Sequence, residues 1–196
     1  MAWIRGATPD DDPTGEVAAA FDRDQATLGR VANYTRVFAH RPAVLRGWQG
    51  LNGAIKGMDP RRYEVATTAA ALRLRSSYCA LAHGDVLASR HMSPDAVRAL
   101  ADGGESDELT EVDRAVARLA STVAAGAADM RPEDLDELRA LGFADDEILD
   151  VVLAAAARCF FSTVLDAVGA EPDAAYRTLD APLRDALTVG RPIEPA

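Results

Sequence analysis

Cys79 and His83 are four residues apart, the spacing that puts two side chains one above the other on a helix face and lets a thiol and an imidazole act as nucleophile and base. They close the run Ser76-Ser77-Tyr78-Cys79-Ala80-Leu81-Ala82-His83, a C-x-x-C-x-x-x-H redox pattern in which Ser76 stands where the first cysteine would be. Glu64 precedes Ser76 by twelve residues. That is about three helical turns, so its carboxylate reaches the pair only if the helix that bears it folds back on the next one. A cysteine in a first helical turn faces unpaired backbone N–H groups and the positive end of the helix dipole, surroundings in which thiolates form readily. Each side chain also has a plain alternative: Cys79 as a small buried hydrophobe, His83 as a satisfied core residue, Glu64 as a solvated charge.

The elements that must position these residues read as helices. Thr14 to Leu28 carries Val17, Ala20, Phe21 and Leu28 at helical spacing and stops at Gly29. Arg41-Pro42-Ala43 starts a helix with Val44, Leu45, Trp48, Leu51 and Ile55 on one face up to Gly57. Asp59-Pro60 opens the next, through Tyr63, Ala66, Thr67, Ala70 and Leu74, ending near Ser76. Ser76 or Ser77 then caps a helix that runs through Cys79, His83, Val86 and Leu87 to about His91, which sets Cys79 in its first turn. Ser93-Pro94 begins a short helix closed by Gly103-Gly104, and Thr110-x-x-Asp113 is a capping-box variant ahead of Val116, Leu119 and Val123. Pro132 to Gly142, Asp145 to Val168 and Pro172 to about Leu187 complete the set. The stretch from Asp145 is strongly apolar, has acids in its first turn and Gly169 behind it, and is expected at the centre of the core. The predicted fold is an all-α bundle of about eight helices, with a polar N-terminal arm over 1–13, a helical domain over 14–187 and a loose C-terminal tail over 188–196.

Composition narrows the partners. A chain of 196 residues buries most of its unfolded surface without a metal or disulfide staple. Its net charge of −10 opposes the counterion release on which nucleic-acid binding depends. The apolar run 151–157 is far shorter than the roughly 20 residues a bilayer requires, and the first residues lack the basic and apolar regions of a signal peptide. The expectation is a cytoplasmic protein with no membrane and no nucleic-acid partner. Cys79 and Cys159, eighty positions apart, are expected as thiols. His40 and His91 fit helix-end roles, and no nucleotide motif or closely spaced metal-ligand pair is present, so neither cofactor nor metal is expected.

The pattern Glu64, Ser76, Tyr78-Cys79 and His83 resembles that of the carboxymuconolactone decarboxylase and alkylhydroperoxidase AhpD superfamily, whose redox members carry E-x11-C-x-x-C-x-x-x-H. The likeness extends to Arg41-Pro42-Ala43-Val44-Leu45, to Leu141-Gly142-Phe143 through Glu147-Ile148-Leu149, and to 167–173, where it is with the superfamily's uncharacterised peroxidase-related branch. It covers about residues 30 to 175 and implies an AhpD-like helical bundle that assembles as a homo-oligomer. By this resemblance Cys79 is the reactive thiol, His83 and Glu64 are its proton relay, and Ser76 occupies the place of the partner cysteine. The implied activity is reduction of alkyl hydroperoxides. A serine forms no disulfide, so regeneration falls to an external thiol or dithiol, or to Cys159 if its Cα lies within about 7 Å of that of Cys79. Tyr78 is a weaker candidate for contact with substrate. Two other readings remain open: a decarboxylase-like enzyme using Glu64 and His83 as acid and base, and a non-enzymatic helical oligomer that senses oxidants or binds a ligand.

Overall fold

The computed structural model describes residues 2–195, and among these every regular element is helical. Ten α-helices follow in order: α1 (Glu16–Leu28), α2 (Asn33–Phe38), α3 (Pro42–Ile55), α4 (Pro60–Arg73), α5 (Ser77–Arg90), α6 (Pro94–Asp102), α7 (Glu111–Gly126), α8 (Asp136–Ala140), α9 (Asp145–Ala167) and α10 (Ala181–Leu187).

The core is built on α4, which packs against α5, α7 and α9. Asp59 caps it by accepting from the Arg62 N–H, and every residue from Tyr63 to Ala71 is buried. Its alanines at 66, 69, 70 and 71 let the neighbouring helices approach closely. Between α4 and α5 the chain reverses within three residues, Arg75 taking a φ of 57° in the left-handed region. This reversal is the fold-back that Glu64 requires. Gly84 admits α10 against α5: a Cβ there would meet Leu187 of α10 at 2.5 Å.

α9 exceeds what its longest apolar run suggested. At 23 residues it is long and apolar enough, by length and composition, to cross a membrane, but half of its most apolar window is buried inside the bundle. Val151, Ala154, Ala155, Phe161 and Leu165 face that core.

Four stretches depart from the sequence reading. The single helix expected from Pro132 to Gly142 is a 3-10 turn, Pro132–Leu135, followed by the short α8. α2 lies where no helix was expected, its first N–H held by the Asp173 carboxylate 140 positions away. The single helix expected over 172–187 is divided into a 3-10 turn, Ala174–Thr178, and α10, because Asp180 caps a new helix with Pro182 in its first turn. The tail expected to be loose is tied down. Gly190 N–H donates to Ser77 Oγ at 2.7 Å, Glu194 N–H donates to the Pro172 carbonyl at 3.0 Å, and Ile193 is buried. Of the arm expected over 1–13, residues 2–13 lie along the rest of the chain, with Ala7 buried against Val17 and Ala39 and the Trp3 N–H donating to the Val168 carbonyl.

Candidate active site

Cys79 occupies the third position of α5 and is almost wholly buried. It forms part of the wall of a cavity of about 260 Å³ together with Tyr34, Trp48, Asn52, Tyr78, His83, Arg158, Phe161 and Tyr176. Five of these eight side chains are aromatic, so the space beside the sulfur favours flat apolar ligands.

One turn along α5, His83 meets Glu64: Nδ1 lies 2.7 Å from Glu64 Oε2. On the other side of the ring, Arg158 Nη1 lies 2.9 Å from Nε2. A guanidinium has only donors, so Nε2 is the accepting nitrogen and the imidazole proton sits on Nδ1, donated to the carboxylate. Burial above all, and then the Arg158 charge, push the His83 pKa below its ordinary value, outweighing the pull of Glu64. The imidazole is therefore a neutral bridge between a carboxylate and a guanidinium.

Arg158 Nη1 also donates towards Cys79, 4.0 Å from Sγ. Among the described residues no hydrogen bond joins His83 to Cys79 directly, and Arg158 Nη1 contacts both. The arginine is held by further contacts. Nη2 donates to Asn52 Oδ1 at 3.0 Å, and its guanidinium carbon lies 4.9 Å from the centre of the Trp48 ring and 5.3 Å from that of Phe161. Asn52 Oδ1 accepts in addition from Tyr63 OH at 2.8 Å, and burial pushes the Tyr63 phenol up to about 12, so it remains a neutral donor. Four helices, α3, α4, α5 and α9, thus contribute one polar network: Asn52, Tyr63 with Glu64, His83 with Cys79, and Arg158.

The remaining candidates are placed less directly. Tyr78 lines the cavity with its ring, but its hydroxyl donates to Asp173 and accepts the Tyr34 N–H at 3.1 Å, leaving nothing to offer a substrate. Burial first, and the Asp173 carboxylate next, hold that phenol far above its usual range. Ser76 sits at the N-cap of α5 without a capping hydrogen bond from its side chain, is fully buried, and does not line the cavity. The hydroxyl beside it, Ser77 Oγ, receives Gly190 N–H. Cys159 is a partly buried free thiol whose pKa burial raises. It does not line the cavity, although Arg158, its neighbour in sequence, does.

Arg158, Asn52 and Trp48 are the site residues that sequence reasoning passed over. For Arg158 a signal was present: it is the only charged residue between Asp150 and Asp166 in an otherwise apolar helix, and a lone charge on a core helix has to be paired inside.

No family model matches the chain, and no curated protein matches it. Solved structures do. An uncharacterised peroxidase-related protein with an alkylhydroperoxidase AhpD core from Ralstonia eutropha superposes with a TM-score of 0.79 at 20% identity, covering 90% of this chain and 94% of that one. A peroxidase-related protein from a Silicibacter species gives 0.74 at 20% identity, over 85% and 90% of the two chains. A variant of the debrominase Bmp8, in complex with 2,3,4-tribromopyrrole, gives 0.69 at 18% identity over 93% and 96%. Over most of its length the chain has the fold of the AhpD-like superfamily.

Proposed function

We propose that the protein is a thiol oxidoreductase that reduces organic hydroperoxides through Cys79. The observation that carries this reading is the placement of Cys79 in the first turn of α5, with the Arg158 guanidinium beside its sulfur and an aromatic cavity in front of it. The sulfur attacks the terminal oxygen of the hydroperoxide. A sulfur–oxygen bond forms as the oxygen–oxygen bond breaks, sulfur is oxidised to a sulfenic acid, and the other oxygen takes up the thiol's proton equivalent and leaves as an alcohol. Arg158 balances negative charge on the sulfur before attack and on the departing oxygen after it. His83 and Glu64 fix the position and charge environment of Arg158. Two external thiols return the sulfenic acid to the thiol, releasing water and a disulfide. The reading includes a homo-oligomer, for which the exposed Val44 and Leu51 of α3 and Leu149, Leu153 and Phe160 of α9 provide an apolar surface.

The test is mass spectrometry of the protein after one equivalent of cumene hydroperoxide, followed by turnover with a dithiol. One oxygen gained on Cys79 and catalytic consumption lost in Cys79→Ser are expected. An unmodified Cys79, or turnover that survives Cys79→Ser, overturns the reading.

The aromatic cavity favours one second reading, that the electrophile is a halogenated aromatic. Bmp8, of like fold, is a debrominase and has been seen with tribromopyrrole. Replacing carbon–bromine by carbon–hydrogen is a two-electron reduction, which two thiols supply by becoming a disulfide while bromide is released. Thiol-dependent bromide release from a bromopyrrole, with no oxidation by cumene hydroperoxide, would favour it over peroxide reduction.

A further inference from the structure

A second concavity lies between the end of α4, the α6–α7 connection and α7, and shares no lining residue with the Cys79 cavity. It encloses about 780 Å³, within the size range of small-molecule sites. Its walls bring Arg73 and Arg75 together with Arg114 and Arg118, against one acid, Glu105. In a chain with a net charge of −10 this is a local reversal of sign.

The arginines are not neutralised as a set. Among the described residues Arg73 makes no ion pair, and the Arg75 side chain makes a single hydrogen bond, to the Val189 carbonyl at a long 3.4 Å. Arg114 pairs with Glu105, whose side chain is 92% exposed, and donates to the Ser106 carbonyl; Arg118 holds Glu137, 44% exposed and outside the groove, through both Nε and Nη2. An exposed single-contact pair such as Arg114–Glu105 contributes about 1 kcal/mol or less, so an incoming anion can exchange for that carboxylate, while Arg118 keeps Glu137 and adds its remaining N–H to the groove. α7 adds Ser121 one turn beyond Arg118, and Leu72 and Leu109 add apolar surface to the lining. Guanidinium forks match the paired oxygens of phosphate and carboxylate alike.

We propose that this groove binds a small molecule carrying two or more phosphate or carboxylate groups. Calorimetric titration of the full chain at low salt, with pyrophosphate and separately with citrate, tests it. Saturable one-site binding of at least one of them is expected, and which one binds identifies the anion class. Arg73→Glu and Arg118→Gln, each confirmed as folded by its melting curve, weaken that binding at least about tenfold, because each removes a charge-assisted contact. Cys79→Ser binds as the wild type does, since the groove is separate from the thiol. Absence of saturable binding by either anion, or wild-type affinity in both arginine variants, overturns the proposal.

Discussion

Two arginines, the half-buried Arg61 and the buried Arg158, solve opposite problems in this molecule. Arg61 grips the buried Asp113 directly, through Nε at 3.0 Å and Nη2 at 2.7 Å, and its other donors reach the carbonyls of His91 and Glu108. Asp113 in turn accepts the N–H and hydroxyl of Thr110, completing the capping box of α7. Burial pushes the Asp113 carboxyl up, but the Arg61 and Thr110 contacts outweigh it and hold the group below its usual range. Arg158 is kept from its carboxylate by a neutral imidazole. Its Nε has no hydrogen-bond partner, and one of its donors is directed at a sulfur. A saturated guanidinium ties helices together; one left short of acceptors has charge to lend to a reaction.

The largest effect that would sharpen this contrast is on stability. Asp113→Ala strands Arg61 and removes a cap, and about 3 kcal/mol of unfolding free energy should be lost, less than for a fully enclosed pair because the Arg61 side chain is 30% exposed. Urea titration measures it, and the rate of Cys79 alkylation in the folded fraction should not change. Arg158→Met should act on that rate instead, slowing reaction of Cys79 with hydroperoxide by roughly ten- to a hundredfold. Full reactivity in Arg158→Met would break the comparison, since both arginines would then be structural. Asn52→Leu withdraws one anchor of Arg158 and is expected to slow the same reaction about fivefold, the equivalent of one hydrogen bond; stopped-flow oxidation reads the difference.

The smallest effect is a pH dependence. His83 is held neutral in the folded protein, while in the unfolded chain it takes a proton near pH 6.5. Protons therefore favour the unfolded state. This contribution is complete above pH 6.5 and declines as the pH falls below it. The melting temperature should drop between pH 7.5 and 5.5, and drop less in His83→Gln. An equal drop in both proteins would mean that the imidazole between Glu64 and Arg158 is not neutral.

Much of the fold was legible in local signals. Pro60 behind Asp59, Pro94 behind Ser93 and the Thr110 capping box mark helix starts that the structure reproduces. What escaped depends on contacts distant in sequence. α2 is a six-residue helix rich in β-branched and aromatic residues, and its N-terminus is completed by Asp173. The tail looks irregular because its hydrogen bonds end on Ser77 and Pro172 rather than on itself. In the site, Glu64, Cys79 and His83 lie on two consecutive helices, and their spacing carries the geometry. Arg158 approaches from α9, seventy-five residues beyond His83, and no spacing rule spans that distance.

The tail also bears on how the protein responds to damage. Gly190 passes so close over the α4–α5 turn that a Cβ would lie 2.0 Å from the Arg75 carbonyl oxygen, and its N–H holds Ser77, two residues before Cys79. A carboxypeptidase trimming the chain past Gly190 would release that turn without touching the cavity wall, so nicking at the C-terminus should register as a changed thiol long before the bundle unfolds.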